Sequence, residues 1–396
     1  MQTGLDRLGE GGEVAKRVRG SRFGLVAHPA SVTRELVHVR SVLEGIGARP
    51  QIVFGPEHGY GGEAQDMIGV GDARDRDGVP VRSLYGASFD DLTPRAADLD
   101  GLDLVVIDLQ DVGSRYYTFV WTAVLVLRAC ATRGVRVLVL DRPNPLGGVT
   151  REGRALDEAF RSFVGLEPLA VRHALTLGEI VAWRAQVEGV PRGLVEVARV
   201  EGIARDAHAT GWDRPFVAPS PNMPTYDTAL VYPGGCLIEG TNLSEGRGTT
   251  RPFEIVGAPF LDGEALAREL HATGLSGFVA RPLTFLPMFH KHAGQLCGGV
   301  QIHVRDERNF RPYATYLALV AIARRLGGEA FAFRTERYEF IDDIPAFDLL
   351  TGNAEARSRI EAGDAPRSIA EELSRLRAGD DVTCDEAIRA AQTVSV

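Results

Sequence analysis

Residues 104–118 read LVVIDLQDVGSRYYT, and this stretch decides the fold. The apolar run from 104 to 109 is too short for a helix and shows no polar alternation, which is the signature of a strand covered on both faces. A polar turn with Gly113 follows, and residues 118–132 then repeat apolar side chains at helical spacing. Strand, polar turn and helix together make half of a βαβ unit. Working outward, similar apolar runs lie at 23–27, 51–54, 81–84, 135–140 and 195–200. Helical patterns separate them at 4–19, 33–46 and 176–187, the last opened by a capping box from Thr176 to Glu179. The alternation predicts an α/β fold with a Rossmann-like parallel sheet as an amino-terminal domain over residues 1–211.

From 212 to 260 the texture changes to Pro, Gly, Asn, Thr and Ser with little apolar periodicity. A long polar segment inside a compact chain is usually functional. Beyond it the pattern predicts a helix at 263–273, strands at 277–286 and 298–304, a helix at 311–325, a strand at 337–341 and a helical tail from 355. These form a smaller α+β carboxy-terminal domain, 212–396.

The chain has 396 residues, 44% hydrophobic and 24% charged, with 53 acidic against 44 basic side chains. A formal charge of −9 without a basic stripe argues against a nucleic-acid partner. Lys16 and Lys291 are the only lysines, and the four cysteines form no C-x-x-C pair. No segment reaches the ~20 apolar residues that span a bilayer. The first twenty residues lack the apolar stretch of an export leader, so as written the chain is expected in the cytoplasm. Nothing in the composition speaks to oligomeric state.

Ligands of an open parallel sheet bind beyond the carboxyl ends of its strands. Here those ends run into His28, GPEHGYGGE (55–63), Tyr85, DLQDVGSRYYT (108–118) and DRPNPLGG (141–148). The first βα turn, VAHPASVT, lacks the glycines that let a dinucleotide approach a helix start, so no nucleotide cofactor is expected. His290, His292 and His303 have no metal-ligand spacing that outweighs ordinary hydrogen bonding, and no metal is expected. G-x-S-x-G is absent, which leaves Ser220 without a hydrolase context. The carboxylates carry more weight, because cleaving a glycosidic bond needs a protonated acid at the leaving oxygen and a second group at the anomeric centre. Glu57, set between Pro56 and His58 in a glycine-rich turn after a buried strand, is the best acid. Asp111 with Arg115 reads either as site chemistry or as a strand-end ion pair.

The blocks PEHG, DLQDVGSRYYT, LDRPNPLGG, PSPNMPT, LIEGTNLSEGRGTTRPFE and KHAGQLCGGVQIHV occur in that order along the chain. In them the sequence resembles the peptidoglycan exo-β-N-acetylmuramidase family, the NamZ-type glycoside hydrolases. The resemblance runs from about residue 4 to 388. It implies release of single β-linked N-acetylmuramic acid residues from the non-reducing ends of peptidoglycan fragments, with no cofactor, muropeptides or disaccharides as partners, and a site between the two domains. It places the acid of the PEHG block at Glu57, with Asp111 and Glu239 as the other candidate catalytic carboxylates. Two departures stand out: many members carry a leader, and their first strand commonly ends in an Asn-type turn where this chain has His28.

The lactyl carboxylate of muramic acid calls for a fixed cation, best a planar guanidinium, among Arg115, Arg247, Arg251 and Lys291. Asn222, Thr241, Asn242 and Thr249 offer groups for hydroxyls and the N-acetyl amide. His58, Tyr116 and Tyr117 are expected beside the sugar, and Glu239 and Glu245 each either join the site or brace the glycine-rich loop. A hexosaminidase of other specificity and a non-catalytic muropeptide-binding protein are the competing readings.

Overall fold

The computed structural model describes residues 1–65, 68, 69 and 71–396. Its main sheet has seven strands: β1 Phe23–Ala27, β2 Ile52–Gly55, β3 Ala73–Arg74, β4 Pro80–Ser83, β5 Leu104–Asp108, β6 Arg136–Leu140 and β7 Val195–Ala198. They lie in the order β3-β4-β2-β1-β5-β6-β7, all parallel except β3, which runs antiparallel to β4 at one edge. The 104–109 run behaves as expected of a strand buried on both faces. Leu104 and Val106 pack against α1 Gly4–Gly9, α2 Gly12–Val18 and α3 Val39–Gly45, whereas Val105 and Ile107 face α5 Phe119–Arg133 and α6 Leu177–Val187. A short α4, Ala96–Leu99, precedes β5.

The second half contains α7 Tyr226–Gly235, a three-stranded antiparallel sheet ordered β8-β10-β9, and further helices. Its strands are β8 Ile255–Ala258, β9 Phe278–Phe285 and β10 Cys297–Val304. The helices are α8 Gly263–Ala272, α9 Pro312–Gly327, α10 Ala346–Thr351, α11 Glu355–Ala362, α12 Pro366–Leu373 and α13 Asp380–Thr393. Helix α9 forms the hub, packed on α7, α8 and α12. The chain then returns to the first domain, where α13 lies along α6 and Ser395 bridges to Val197 beside β7. One continuous apolar core runs through both halves. Among the described residues no helix is long and apolar enough to cross a membrane.

Four local expectations are corrected. The helix expected over 4–19 splits at Gly11, which adopts a positive φ of 91°. The one expected from 33 begins only at Val39, because residues 31–38 are held in a turn by a Val32–His38 bridge. The polar segment carries α7, which has no helical periodicity because Thr228 to Gly235 are buried on every side. At 337–341 there is no strand; Tyr338 and Ile341 instead close a tight turn on each other.

Candidate active site

The seven-stranded sheet reverses its winding direction at β1, with β2 on one side and β5 on the other, and this is where open α/β sheets bind ligands. Strand β2 ends in Gly55, where a Cβ would stand 2.5 Å from the Tyr60 backbone nitrogen, so the chain folds back sharply only because that residue is glycine. Glu57 sits at the top of this turn and is 4% exposed. Its Oε2 accepts a hydrogen bond of 2.6 Å from the hydroxyl of Thr118, which precedes α5. The ring of His58 stands 4.0 Å from Oε1 through Nε2, and its Nδ1 donates to the Ala64 carbonyl at 2.9 Å. His58 adopts a left-handed φ of 68°, a backbone strain common where a side chain is aimed at a site.

The first domain also supplies Tyr116 and Tyr117 to the same cleft, both buried, with phenols pushed well above their ordinary range by that burial. The connecting segment adds Ser220, Asn222 and Met223, and the second half adds Tyr232, Glu239, Arg247, Phe253, Tyr338 and Glu339. His28 joins the two halves. Its Nε2 accepts from the Gln110 amide at 3.0 Å, and its Nδ1 donates to the Pro219 carbonyl at 3.2 Å. Burial, reinforced by the charge of Arg142, pushes this imidazole down to about 3.

Glu239 follows α7 in a short 3₁₀ segment and is held at both oxygens. Arg247 donates to Oε1 at 2.6 Å and the Tyr338 hydroxyl donates to Oε2 at 2.6 Å. Arg247 also lies 5.2 Å above the Phe253 ring and places Nε 3.2 Å from Glu245. Burial alone would raise the Glu245 carboxyl, but Lys291 at 3.0 Å, His290 at 2.9 Å and Arg247 outweigh it and hold it far below the carboxylate range. Glu245 is therefore a brace behind the cleft wall.

The expected site residues thus separate. Glu57, His58, Tyr116, Tyr117, Asn222, Glu239 and Arg247 meet in one cleft. Asp111 and Arg115 neither line it nor pair with each other. Asp111 accepts from the Gly113 amide at 2.7 Å and faces His173 Nε2 at 3.4 Å. Arg115 is fully buried and spends its guanidinium on the carbonyls of Arg154, Leu169 and Leu350. Lys291 caps the carbonyls of Ile238 and Leu243, Thr241 and Thr249 close local turns on Ile238 and Gly246, and Asn242 is bonded to Ala330 and Ala332. Arg251 lies outside the cleft, near Glu254 and Asp227. Of the four cations considered for a lactyl carboxylate, Arg247 is the one at the cleft wall. Thr118, Tyr232, Tyr338 and Glu339 were not singled out from the sequence; Thr118 lies inside a quoted block, and the others carry no local signal.

Comparison with known proteins agrees with this architecture. Residues 23–227 match the family model for the amino-terminal domain of the exo-β-N-acetylmuramidase NamZ, and residues 230–377 match that for its carboxy-terminal domain. The peptidoglycan β-N-acetylmuramidase NamZ of Bacillus subtilis strain 168 is 38% identical over 371 residues, covering 93% of this chain and 86% of that protein. The crystal structure of a DUF1343-family protein of Bacteroides fragilis superposes with a TM-score of 0.83 at 26% identity, covering 99% of this chain and 98% of the other. A second DUF1343-family protein from that organism shares the fold with a TM-score of 0.73 at 24% identity, covering 98% of each chain.

Proposed function

The chain belongs to the exo-β-N-acetylmuramidase NamZ family, and from that premise we propose how its cleft cleaves a terminal muramic acid residue. It is a glycoside hydrolase that releases β-linked N-acetylmuramic acid from the non-reducing ends of peptidoglycan fragments. The observation that carries the assignment of roles is the meeting of two unlike carboxylates, Glu57 and Glu239, in one buried cleft.

Glu57 serves as the general acid. Its proton passes to the glycosidic oxygen as the bond from C1 to that oxygen breaks, and the bonding electrons leave with the departing sugar. Glu239, held at both oxygens by a guanidinium and a phenol, supports the positive charge that develops at C1. Water adds to C1 and gives up a proton as Glu57 regains one, which returns the site to its starting state. Thr118 fixes the orientation of the acid, and the rings of Tyr116 and Tyr117 shape the pocket. Arg247 faces the lactyl carboxylate.

The test compares an aryl β-N-acetylmuramide with the matching N-acetylglucosaminide, which lacks the lactyl group. A hydrogen bond to a charged group contributes about 1.5–3 kcal/mol, so the muramide should turn over roughly 10- to 100-fold faster in kcat/KM. Equal rates would overturn the muramic acid assignment while leaving a hexosaminidase.

A further inference from the structure

Strands β9 and β10 alternate in what they bury. Phe278, Ala280, Val300 and Ile302 belong to the core, so Val279 and Arg281 on one strand and Gln301 and His303 on the other lie on the opposite face. Arg281 ties that face together. Its Nη2 donates to Gln301 Oε1, directly across the ladder, at 2.8 Å, and its Nε donates to His303 Nε2 at 3.2 Å. The free edge of β9 is blunted: the Ala280 amide donates to His271 Nε2 at 3.0 Å, and the next outward-facing position is Pro282, which has no amide hydrogen. A ligand therefore meets side chains here and not an open strand edge.

Those side chains border a surface hollow of about 470 Å³, closed on its other sides by Asp227 and Val231 of α7 and by Glu254. Arg305, just past β10, also faces it, and Arg251 stands alongside, 3.5 Å from Glu254 and 3.9 Å from Asp227. Among the described residues neither Arg281 nor Arg305 is paired with a carboxylate; the partners of Arg281 are a neutral amide and an imidazole nitrogen that accepts. In a chain with a net charge of −9 this is a local excess of positive charge, and it calls for an anionic partner. The carboxylates narrow the choice. Asp227 and Glu254 repel a compact anion that only accepts hydrogen bonds, such as phosphate, but they suit a ligand that brings N–H donors as well as negative groups. The apolar side chains of Val279 and Val304 give the body of such a ligand something to lie on.

We propose that this hollow is a second binding site, separate from the catalytic cleft, and that it takes a short peptide bearing carboxylates. The two sites lie back to back. Tyr232 and Phe253 line the cleft, whereas their chain neighbours Val231 and Glu254 line the hollow. The inference rests on the hydrolase reading only for the source of the peptide: peptidoglycan fragments carry short peptides with free carboxylates. Since Arg247 faces the lactyl carboxylate of the sugar being cleaved, the peptide held behind the wall belongs to another part of the material. The hollow thus keeps the enzyme on peptide-bearing wall while the cleft works on a bare glycan end.

The experiment measures binding of a fluorescent N-acetyl-Ala-Glu-Ala-Glu to the full chain at low salt, with the Ala-Gln-Ala-Gln counterpart and inorganic phosphate as controls. The acidic peptide should bind at least 10-fold more tightly than either control. Arg281→Gln and Arg305→Gln should each weaken it roughly 5-fold, as expected for exposed ion pairs, and raised salt should weaken it further. Both side chains are exposed, so neither change should lower the melting temperature or the turnover of an aryl N-acetylmuramide. A separate readout is the His303 ring, assigned by NMR with His303→Gln. Its proton affinity is lowered by partial burial and by the charges of Arg281, Arg251 and Arg305, with Asp227 opposing them, so a bound carboxylate should raise its titration midpoint. Equal binding of the glutamine peptide, equal binding of phosphate, or a His303 signal that ignores the bound peptide would each overturn the proposal. Failure to cleave any muramide would instead remove the hydrolase reading and leave the binding result to stand on its own.

Discussion

Glu57 and Glu239 reach the same cleft from opposite halves of the chain, and they are held in opposite ways. The first has one short hydrogen bond, from Thr118, and a neighbouring imidazole 4.0 Å away. The second has both oxygens occupied, one by a guanidinium and one by a phenol that is itself fixed by a strained turn. A group that must give up and regain a proton cannot be surrounded by donors that demand its charge, whereas a group that supports a cation is best when its charge never changes. The contrast in partners therefore supports the proposed division of labour more strongly than the mere presence of two acids does.

The strongest way to break that division is to neutralise each carboxylate and vary the leaving group. Glu57→Gln should lower kcat on the natural disaccharide by roughly 10² to 10⁴, with a smaller loss on a nitrophenyl glycoside that departs with little protonation. Glu239→Gln should cost roughly 10² to 10³ on both substrates alike, as removal of an electrostatic support does. Rate measurements on the two variants and two substrates suffice. If Glu239→Gln shows the leaving-group dependence and Glu57→Gln does not, the two roles are exchanged.

A finer cut removes only one of the donors on Glu239. Tyr338→Phe keeps the ring and the turn but deletes the hydroxyl that bonds Oε2. Losing a hydrogen bond to a charged group costs about 1.5–3 kcal/mol, so kcat/KM should fall roughly 10- to 100-fold, by a similar factor for good and poor leaving groups. An unchanged rate would mean that Glu239 needs no second donor, and the asymmetry between the carboxylates would lose its functional meaning.

The same two regions differ in how far they could be read in the sequence. Strand ends of a parallel sheet are marked by apolar runs that stop abruptly, so Glu57, Tyr116 and Tyr117 could be placed at the site before any coordinates. The walls from the second half have no such marker. Helix α7 is buried all round and shows no period, and the turn that presents Tyr338 and Glu339 lacks the Asn-Gly pair by which such turns are recognised. Asp111, Arg115 and Lys291 stood in blocks that carry the resemblance, yet they bond to backbone and to His173 or Glu245. A block that reads as chemistry is often scaffold, because a loop held in one shape needs buried polar side chains to satisfy its carbonyls and amides.

The smallest expected effect concerns the clasp between the halves. His28 accepts with Nε2 from the Gln110 amide and donates with Nδ1 to Pro219, an arrangement open only to the neutral ring. A proton on Nε2 would face the Gln110 N–H and break the link that seats Ser220 at the cleft. With its folded value lowered to about 3 from an ordinary 6.5, His28 binds a proton in the unfolded chain but not in the folded one across that interval. Stability must then fall as pH drops below about 6.5, by about 2 kcal/mol at pH 5 for this group alone. Buried Asp141 and Glu152, both raised to about 7, act with the opposite sign, because they keep their protons when folded. They do so equally in any variant at position 28, so the comparison of two proteins removes them. His28→Gln retains a donor and an acceptor but cannot be protonated. Between pH 7 and pH 5 its melting temperature should fall less than that of the unaltered protein, and parallel pH profiles would show that the clasp does not sense protons at all.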